Sequence, residues 1–344
     1  MNTPIRYDEE HALLRAEARR WLEERFPIAR VRALADAEAG EDPADWKELG
    51  ALGWLGLCVP EKYGGAGLGA VHLSVLLEET GRCLLPSPLL ASTLAALALA
   101  QSGSEAQRER WLQPLAAGES RVVLAAGPDA VWGAEHADLL LARRADRFAL
   151  VPARGAGARI EPEVVLDRTR RSARVNLDAV QLAGDAFLPI PADELLAKLT
   201  PWACLALAAE MAGGADALLT LTSAYTATRE QFGKPIGSFQ AVKHPLVNVL
   251  IGVEGLRSLV YAAATALDAG DADAEALARM AKAKACDVYV FAASRAVQLH
   301  GGFGFTLDCD AHLYLKRAQT TRPAFGDAMQ QRRWLAEKLL GPAA

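Results

Sequence analysis

QLHGGFGFTLDCDAHLYLKRA, residues 298–318, closes a long helical pattern that begins at DADAEALARM, residues 271–280. Aspartates at the start of that pattern suit the positive end of a helix. Gly301 falls just past its end, where a left-handed cap favours glycine. The pair Gly301 and Gly302 also leaves the backbone bare enough for a ligand to come close, because a Cβ would stand in the way. A second stretch, TREQFGKPIGSFQAVKH, residues 228–244, holds a similar place, a turn between two long helical runs.

Those runs are TPWACLALAAEMAGGADALLTLTSAYTATR (200–229) and VKHPLVNVLIGVEGLRSLVYAAATALDAG (242–270). Alanine dominates their facing positions, so these helices can pack closely. Upstream, RVVLAAG (121–127), DLLLARRADRFALVP (138–152) and ARVNLDAVQLAG (173–184) are short apolar or alternating runs between charged turns. They predict strands, with RADR (144–147) as a hairpin connection, and the region ends near Pro191. Nearer the N-terminus, HALLRAEARRWLEERF (11–26) predicts a helix with Leu13, Leu14, Ala18 and Leu22 on one face. WKELGALGWLGLCVPEKYGGAGLG (46–69) then breaks into a Gly- and Pro-rich turn. Helical pattern resumes at HLSVLLEETGRCLL (72–85) and continues to about Gly118. The expected fold is mostly α with a small β domain: an N-terminal helical domain over 1–118, a reduced middle β domain over 119–192 and a C-terminal four-helix bundle over 193–344.

A chain of 344 residues, 51% hydrophobic and 23% charged, can bury a sizeable core. Its net charge of -5, with basic and acidic residues interspersed, offers no face to neutralise a phosphate backbone, so nucleic acid is not an expected partner. The five cysteines, Cys58, Cys83, Cys204, Cys286 and Cys309, lie far apart without a C-x-x-C pair. Neither a disulfide framework nor a metal site is suggested, which fits a reducing cytoplasm. MNTPIRYDEEH, the first eleven residues, is polar and acidic and does not read as a secretory leader. The uncharged run LLPSPLLASTLAALALAQSG (84–103) carries two prolines, and its unbroken apolar part falls short of the ~20 residues a bilayer needs. A packed helix is expected there, and no membrane.

Residues 228–244 and 298–318 together resemble the acyl-CoA dehydrogenase family, as does GWLGLCVPEKYGGAGLG near the N-terminus. The resemblance covers nearly the whole chain in the same order. It implies that Arg229 grips the pyrophosphate of FAD, a role in which a guanidinium can supply two parallel hydrogen bonds. Gln231 and Phe232 match positions lining phosphate and adenine. Gln240, Gln298, Gly301 and Gly302 complete the implied cofactor grip. In the family the Gly-Gly segment comes from a neighbouring subunit, so that one FAD is bound by two chains. Apart from the resemblance, an Arg near a helix end is ordinarily a surface charge, and His244 and His300 are ordinarily packed or surface histidines.

The resemblance also implies a carboxylate base that takes a proton α to the thioester, with the oxygen held by hydrogen bonds. Where many members carry Tyr-Glu-Gly-Thr, this chain has Ala324, Phe325, Gly326 and Asp327. Phenylalanine accepts no proton. The other position at which the family places its base matches Ala203, beside Cys204. Glu210 and Asp216 lie further along the same helical run. Asp327 is the acid nearest in sequence, in place of a family threonine that touches the cofactor, and its competing role is to cap the helix AMQQRRWLAEKLL. The β region lacks the family's flavin-ring stretch: AAGPDAVWGAEHAD (125–138) stands there, and its Trp132 is expected to pack.

No catalytic residue is therefore assigned. The pattern implies a flavin-dependent acyl-CoA dehydrogenase subunit, resembling the base-lacking chain of bacterial heteromers, with the carboxylate supplied by a second dehydrogenase-like chain. The implied partners are an acyl-CoA thioester of steroid type, that second chain or another copy in a dimer or tetramer, and an electron-transfer flavoprotein. A homomeric enzyme with another base, and a non-catalytic scaffold or CoA-ester-binding subunit, remain as alternatives at this point.

Overall fold

The computed structural model describes residues 8–155 and 157–341. Of the first eleven residues, 1–7 lie outside the described ones. Helices α1 (Glu9–Arg25), α2 (Ile28–Asp36), α3 (Pro43–Ala51), α4 (Ala70–Arg82), α5 (Leu89–Ser102) and α6 (Glu105–Ala116) come first. Strands β1 (Val122–Ala125), β2 (Val131–Trp132), β3 (Leu139–Arg144), β4 (Arg147–Pro152), β5 (Arg159–Pro162), β6 (Ser172–Asn176) and β7 (Phe187–Pro191) follow. The chain then runs through α7 (Ala192–Thr228), a two-strand hairpin of β8 (Glu230–Gln231) and β9 (Lys234–Pro235), α8 (Gln240–Asp268), α9 (Ala274–Leu299), α10 (Ala311–Thr321) and α11 (Ala328–Leu340). Two compact units result, one from residues up to 31, 74–85 and 203 onward, the other from 32–73 and 86–202.

The second unit holds the β structure. β1, β3, β4 and β7 form one sheet in that order, with β1 and β3 parallel, and β2, β6 and β5 form another. Ala145, at φ 53°, turns β3 into β4 at the predicted hairpin connection. Val123, Leu140, Ala149 and Val151, all at 0% exposure, face a common core with Ala91 of α5. α5 is buried along most of its length, and Ser92 Oγ donates to the Val122 carbonyl at 2.7 Å. A packed helix, as the prolines and the short apolar run predict, is what stands there.

The first unit is helical. Asp8 caps α1 by accepting from the His11 amide at 3.0 Å, and Glu9 and Glu10 occupy its first turn. Ala18 and Leu22 are buried as expected, but Leu13 is 62% exposed. Leu13 lies off the i, i+4 series of Leu14, Ala18 and Leu22, one step round the helix. Arg15 and Arg19 of α1 meet the buried Glu78 and Glu79 of α4, with Arg19 bidentate on Glu79 at 2.8 and 2.9 Å. Two glycines let α4 and α7 touch backbone to backbone. A Cβ on Gly81 would stand 2.0 Å from the Glu210 carbonyl oxygen, and one on Gly213 would stand 1.8 Å from that of Glu78. At α9 the aspartates precede the helix: the Asp271 carboxylate accepts from the Asp273 amide, and Glu275 is the acid of the first turn. Gly301, at φ 61°, ends it in the expected left-handed conformation.

Candidate functional site

The residues of the implied cofactor grip all belong to the helical unit. Arg229, Gln231 and Phe232 sit on the β8–β9 hairpin, and Gln240 opens α8. Phe232 and Gly233 form the two-residue turn at φ 56° and 76°, the left-handed pair that a type I′ hairpin requires. For phenylalanine that conformation is strained by about 1–2 kcal/mol. Its ring is nonetheless 90% exposed, with an edge contact to Phe239 at 6.1 Å.

Gln298 ends α9, and Gly301 and Gly302 start the 3-10 turn after it. An aromatic stack brings this second segment to the hairpin. Tyr225, in the last turn of α7, lies 4.3 Å from His300 and 6.2 Å from Phe303. The Arg229 amide bonds the Tyr225 carbonyl, and the Ile236 amide bonds that of Arg229. His300 itself is buried with Nδ1 2.7 Å from the Ala296 carbonyl, a packing histidine, and His244 is exposed.

These residues fit a dinucleotide. Arg229, Gln231, Gln240, Gln298, Gly301 and Gly302 are all exposed. A Cβ on Gly302 would meet nothing of the chain within 4 Å, and its φ does not demand glycine. The chain's own packing gives no reason for glycine there, whereas an approaching ligand or second chain does. An exposed guanidinium, an exposed aromatic ring and bare backbone share one end of the helical unit.

The loop that matches the family's base is built in the opposite way. Phe325 takes a left-handed φ of 52°, half-buried, followed by Gly326 at 93°. Gln331 Nε2 donates to the Phe325 carbonyl at 2.6 Å, and Lys282 Nζ lies 2.9 Å from the Arg322 carbonyl and 3.2 Å from that of Gly326. Arg279 holds the Gln331 side chain in turn at 2.9 Å.

Each acid weighed as a base is engaged elsewhere. Asp327 caps α11, accepting from the Gln330 amide at 2.9 Å while Gln330 Oε1 accepts from the Asp327 amide. Glu210 is paired with Arg317 of α10 at 2.7 Å, both groups buried. Asp216 meets Arg82 and, at 3.0 Å, Arg257. Ala203 and Cys204 are fully buried, and burial pushes the Cys204 thiol up to about 11. Trp132, in the β unit, packs under the Arg170 guanidinium at 4.6 Å as expected.

Tyr225, Lys282, Arg317 and Gln331 organise these two regions without having been singled out from the sequence. Lys282 gives the clearest missed signal, a lone lysine on an alanine-lined helix face. Its carbonyl partners come from residues 321–326, and only the folded chain puts them there.

Comparison with known proteins bears on the family and the fold. Residues 8–119 match the model of the acyl-CoA dehydrogenase N-terminal domain and residues 198–340 that of the acyl-CoA dehydrogenase C-terminal domain. The acyl-CoA dehydrogenase IpdE2 of Mycolicibacterium smegmatis is 35% identical over 328 residues, which span 95% of this chain and 98% of that one. Among solved structures, the Tcur3481-Tcur3483 steroid ACAD G363A variant superposes with a TM-score of 0.86 at 30% identity, covering 96% of this chain and 98% of that chain. The ChsE4-ChsE5 complex from Mycobacterium tuberculosis gives 0.90 at 25% identity over 99% and 100%. With matches at both ends of the sequence and a relative aligned almost end to end, this chain is a member of the acyl-CoA dehydrogenase family.

Proposed function

We propose that this chain is a subunit of an FAD-dependent acyl-CoA dehydrogenase, that its Arg229 hairpin and Gly-Gly turn complete a flavin site shared with a partner chain, and that the partner donates the catalytic carboxylate. One observation carries the reading. The grip residues lie open at one end of the helical unit, while the position of the base is phenylalanine and the acids considered for it are each engaged. Flavin, when bound, supplies the acceptor for a hydride from the β carbon of the thioester.

This chain's residues act on binding. Arg229 neutralises and orients the pyrophosphate through charge-assisted hydrogen bonds. Phe232 offers a ring face to adenine, and Gly301 and Gly302 let the backbone approach. The exposed apolar residues Val247, Leu250 and Ile251 of α8 favour assembly, since such a surface is costly to leave in water. The two solved neighbours described as a steroid ACAD and as a complex support a second dehydrogenase-like chain and a steroid-type acyl-CoA. Electron-transfer flavoprotein as acceptor and a cytoplasmic setting belong to the same proposal.

The visible absorption spectrum tests it. The chain is purified alone, then together with the second dehydrogenase-like subunit. Flavin bands only in the paired sample, one FAD per two chains, are expected. Full flavin in the chain alone, bleached by an acyl-CoA, overturns the shared-site reading. Absence of flavin from both preparations leaves the fold a scaffold.

A further inference from the structure

Lys282 is wholly buried on α9, and the partners of its Nζ are three carbonyl oxygens and a sulfur. The oxygens belong to Thr321, Arg322 and Gly326, at 3.3, 2.9 and 3.2 Å. The sulfur is that of Cys286, one helical turn on, at 3.2 Å. An ammonium has three protons to share among these four acceptors. Cys286 Sγ also lies 3.6 Å from the Arg322 carbonyl, so the lysine, the thiol and the loop meet at one point.

Cys286 is 2% exposed, yet it lines an open cleft of about 810 Å³ in the helical unit, together with Phe291, Gln298 and Arg322. A small oxidant can reach the sulfur by that route. The second sulfur of this core is Cys204, and burial keeps its thiol protonated to about 11, which makes it a poor competitor near neutral pH.

We propose that Lys282 and Cys286 are a modification site, closing reversibly into an N–O–S cross-link with dioxygen as oxidant. After the ammonium yields one proton to solvent, the thiol and the resulting amine react with one dioxygen. One oxygen atom becomes the bridge, forming one S–O and one O–N bond, and the other leaves as water with the thiol hydrogen and one amine hydrogen. Sulfur and nitrogen each give up two electrons, and dioxygen takes all four. Four equivalents of a thiol reductant reverse the step, yielding thiol, amine, water and two disulfides.

The cross-link leaves one hydrogen on the lysine nitrogen. At most one of the three loop carbonyls then keeps the lysine as its donor, while Gln331 Nε2 still donates to the Phe325 and Gly326 carbonyls at 2.6 and 3.2 Å. Oxidation therefore loosens the lysine's hold on residues 321–326, the loop that carries Phe325, and reduction restores it. The cleft shares Gln298 with the proposed flavin grip, but the cross-link itself involves only Lys282 and Cys286 and does not depend on flavin being bound.

The test uses the full chain, purified without oxygen and then exposed to air. Mass spectrometry is applied to the intact protein and to the fragment containing both residues. The fragment is expected to gain one oxygen and lose two hydrogens, to revert with dithiothreitol, and to stay unmodified in Lys282→Arg and Cys286→Ser. Hydrogen exchange over residues 321–327 should quicken several-fold on air exposure in the wild type and not in Cys286→Ser. One added oxygen with no hydrogen lost, two hydrogens lost without oxygen, or an unchanged mass each overturns the proposal. The wild-type mass and its reversal decide the matter even where a variant fails to fold.

Discussion

Two Phe-Gly pairs in this chain adopt the same unusual backbone and have opposite surroundings. Phe232 and Gly233 turn at φ 56° and 76° on a hairpin tip, with the ring 90% exposed. Phe325 and Gly326 turn at 52° and 93° in a loop whose carbonyls are held by Lys282 and Gln331. A left-handed phenylalanine persists only where its surroundings over-determine it. At Phe325 the chain itself does this. At Phe232 the hairpin register and an aromatic edge are what the described residues provide, which suits the proposed role of that surface in binding. The difference separates a turn fixed by the chain's own hydrogen bonds from one left exposed.

If that contrast is right, substitutions near the closed loop register in stability and substitutions at the open tip register in ligand binding. The largest effect should come from Glu210→Ala, which leaves the Arg317 guanidinium buried without its carboxylate just before the loop. Breaking such a pair costs about 3–5 kcal/mol, so denaturant unfolding should shift to markedly lower concentration. A shift under about 1 kcal/mol would mean that water reaches Arg317 and that this side is not closed.

Arg229→Ala should reverse the pattern. A hydrogen bond to a charged group contributes about 1.5–3 kcal/mol, so flavin retention in the paired complex should fall by roughly 10- to 100-fold. The unfolding free energy of the chain alone should stay within about 0.5 kcal/mol, as for an exposed side chain. Undiminished flavin content removes Arg229 from the grip.

Phe232→Gly sharpens the comparison because it removes both the strain and the ring. The chain alone should change by less than about 1 kcal/mol, relief of the left-handed strain offsetting the added freedom of the unfolded glycine. Flavin retention should still drop. A loss of stability without a loss of flavin would recast Phe232 as a packing residue.

Much of this architecture is legible in the sequence because it rests on local rules. The RADR hairpin, the left-handed Gly301, the Asp327 cap and the packed helix in the 84–103 run follow from periodicity, turn chemistry and capping, which need only neighbouring residues. The proposed grip rests on another kind of signal: its residues cluster in two short stretches that resemble the family's pattern. The closed loop is not readable. Lys282 reaches residues about forty positions away, and Arg317 finds Glu210 across more than a hundred. Sequence spacing carries no trace of such pairs. Leu13 fails on a finer scale, since adjacent leucines at 13 and 14 cannot share one helix face, and burial of Ala18 and Leu22 selects Leu14.

The smallest expected effect belongs to the residue that most resembles a missing base. Asp327 stands two positions after Phe325, and its carboxylate accepts the Gln330 amide in a reciprocal cap. Asparagine caps helices nearly as well as aspartate, so Asp327→Asn should cost only a few tenths of a kcal/mol. Turnover by the paired complex should be unchanged, because an amide keeps the cap and loses only the ability to take a proton. A general base contributes about 10²–10⁴ in rate, so a drop of two or more orders of magnitude with stability intact would return the chemistry to this chain. The loop would then be closed around its own base, and the contrast between the two Phe-Gly turns would separate binding from catalysis within one subunit instead of between two.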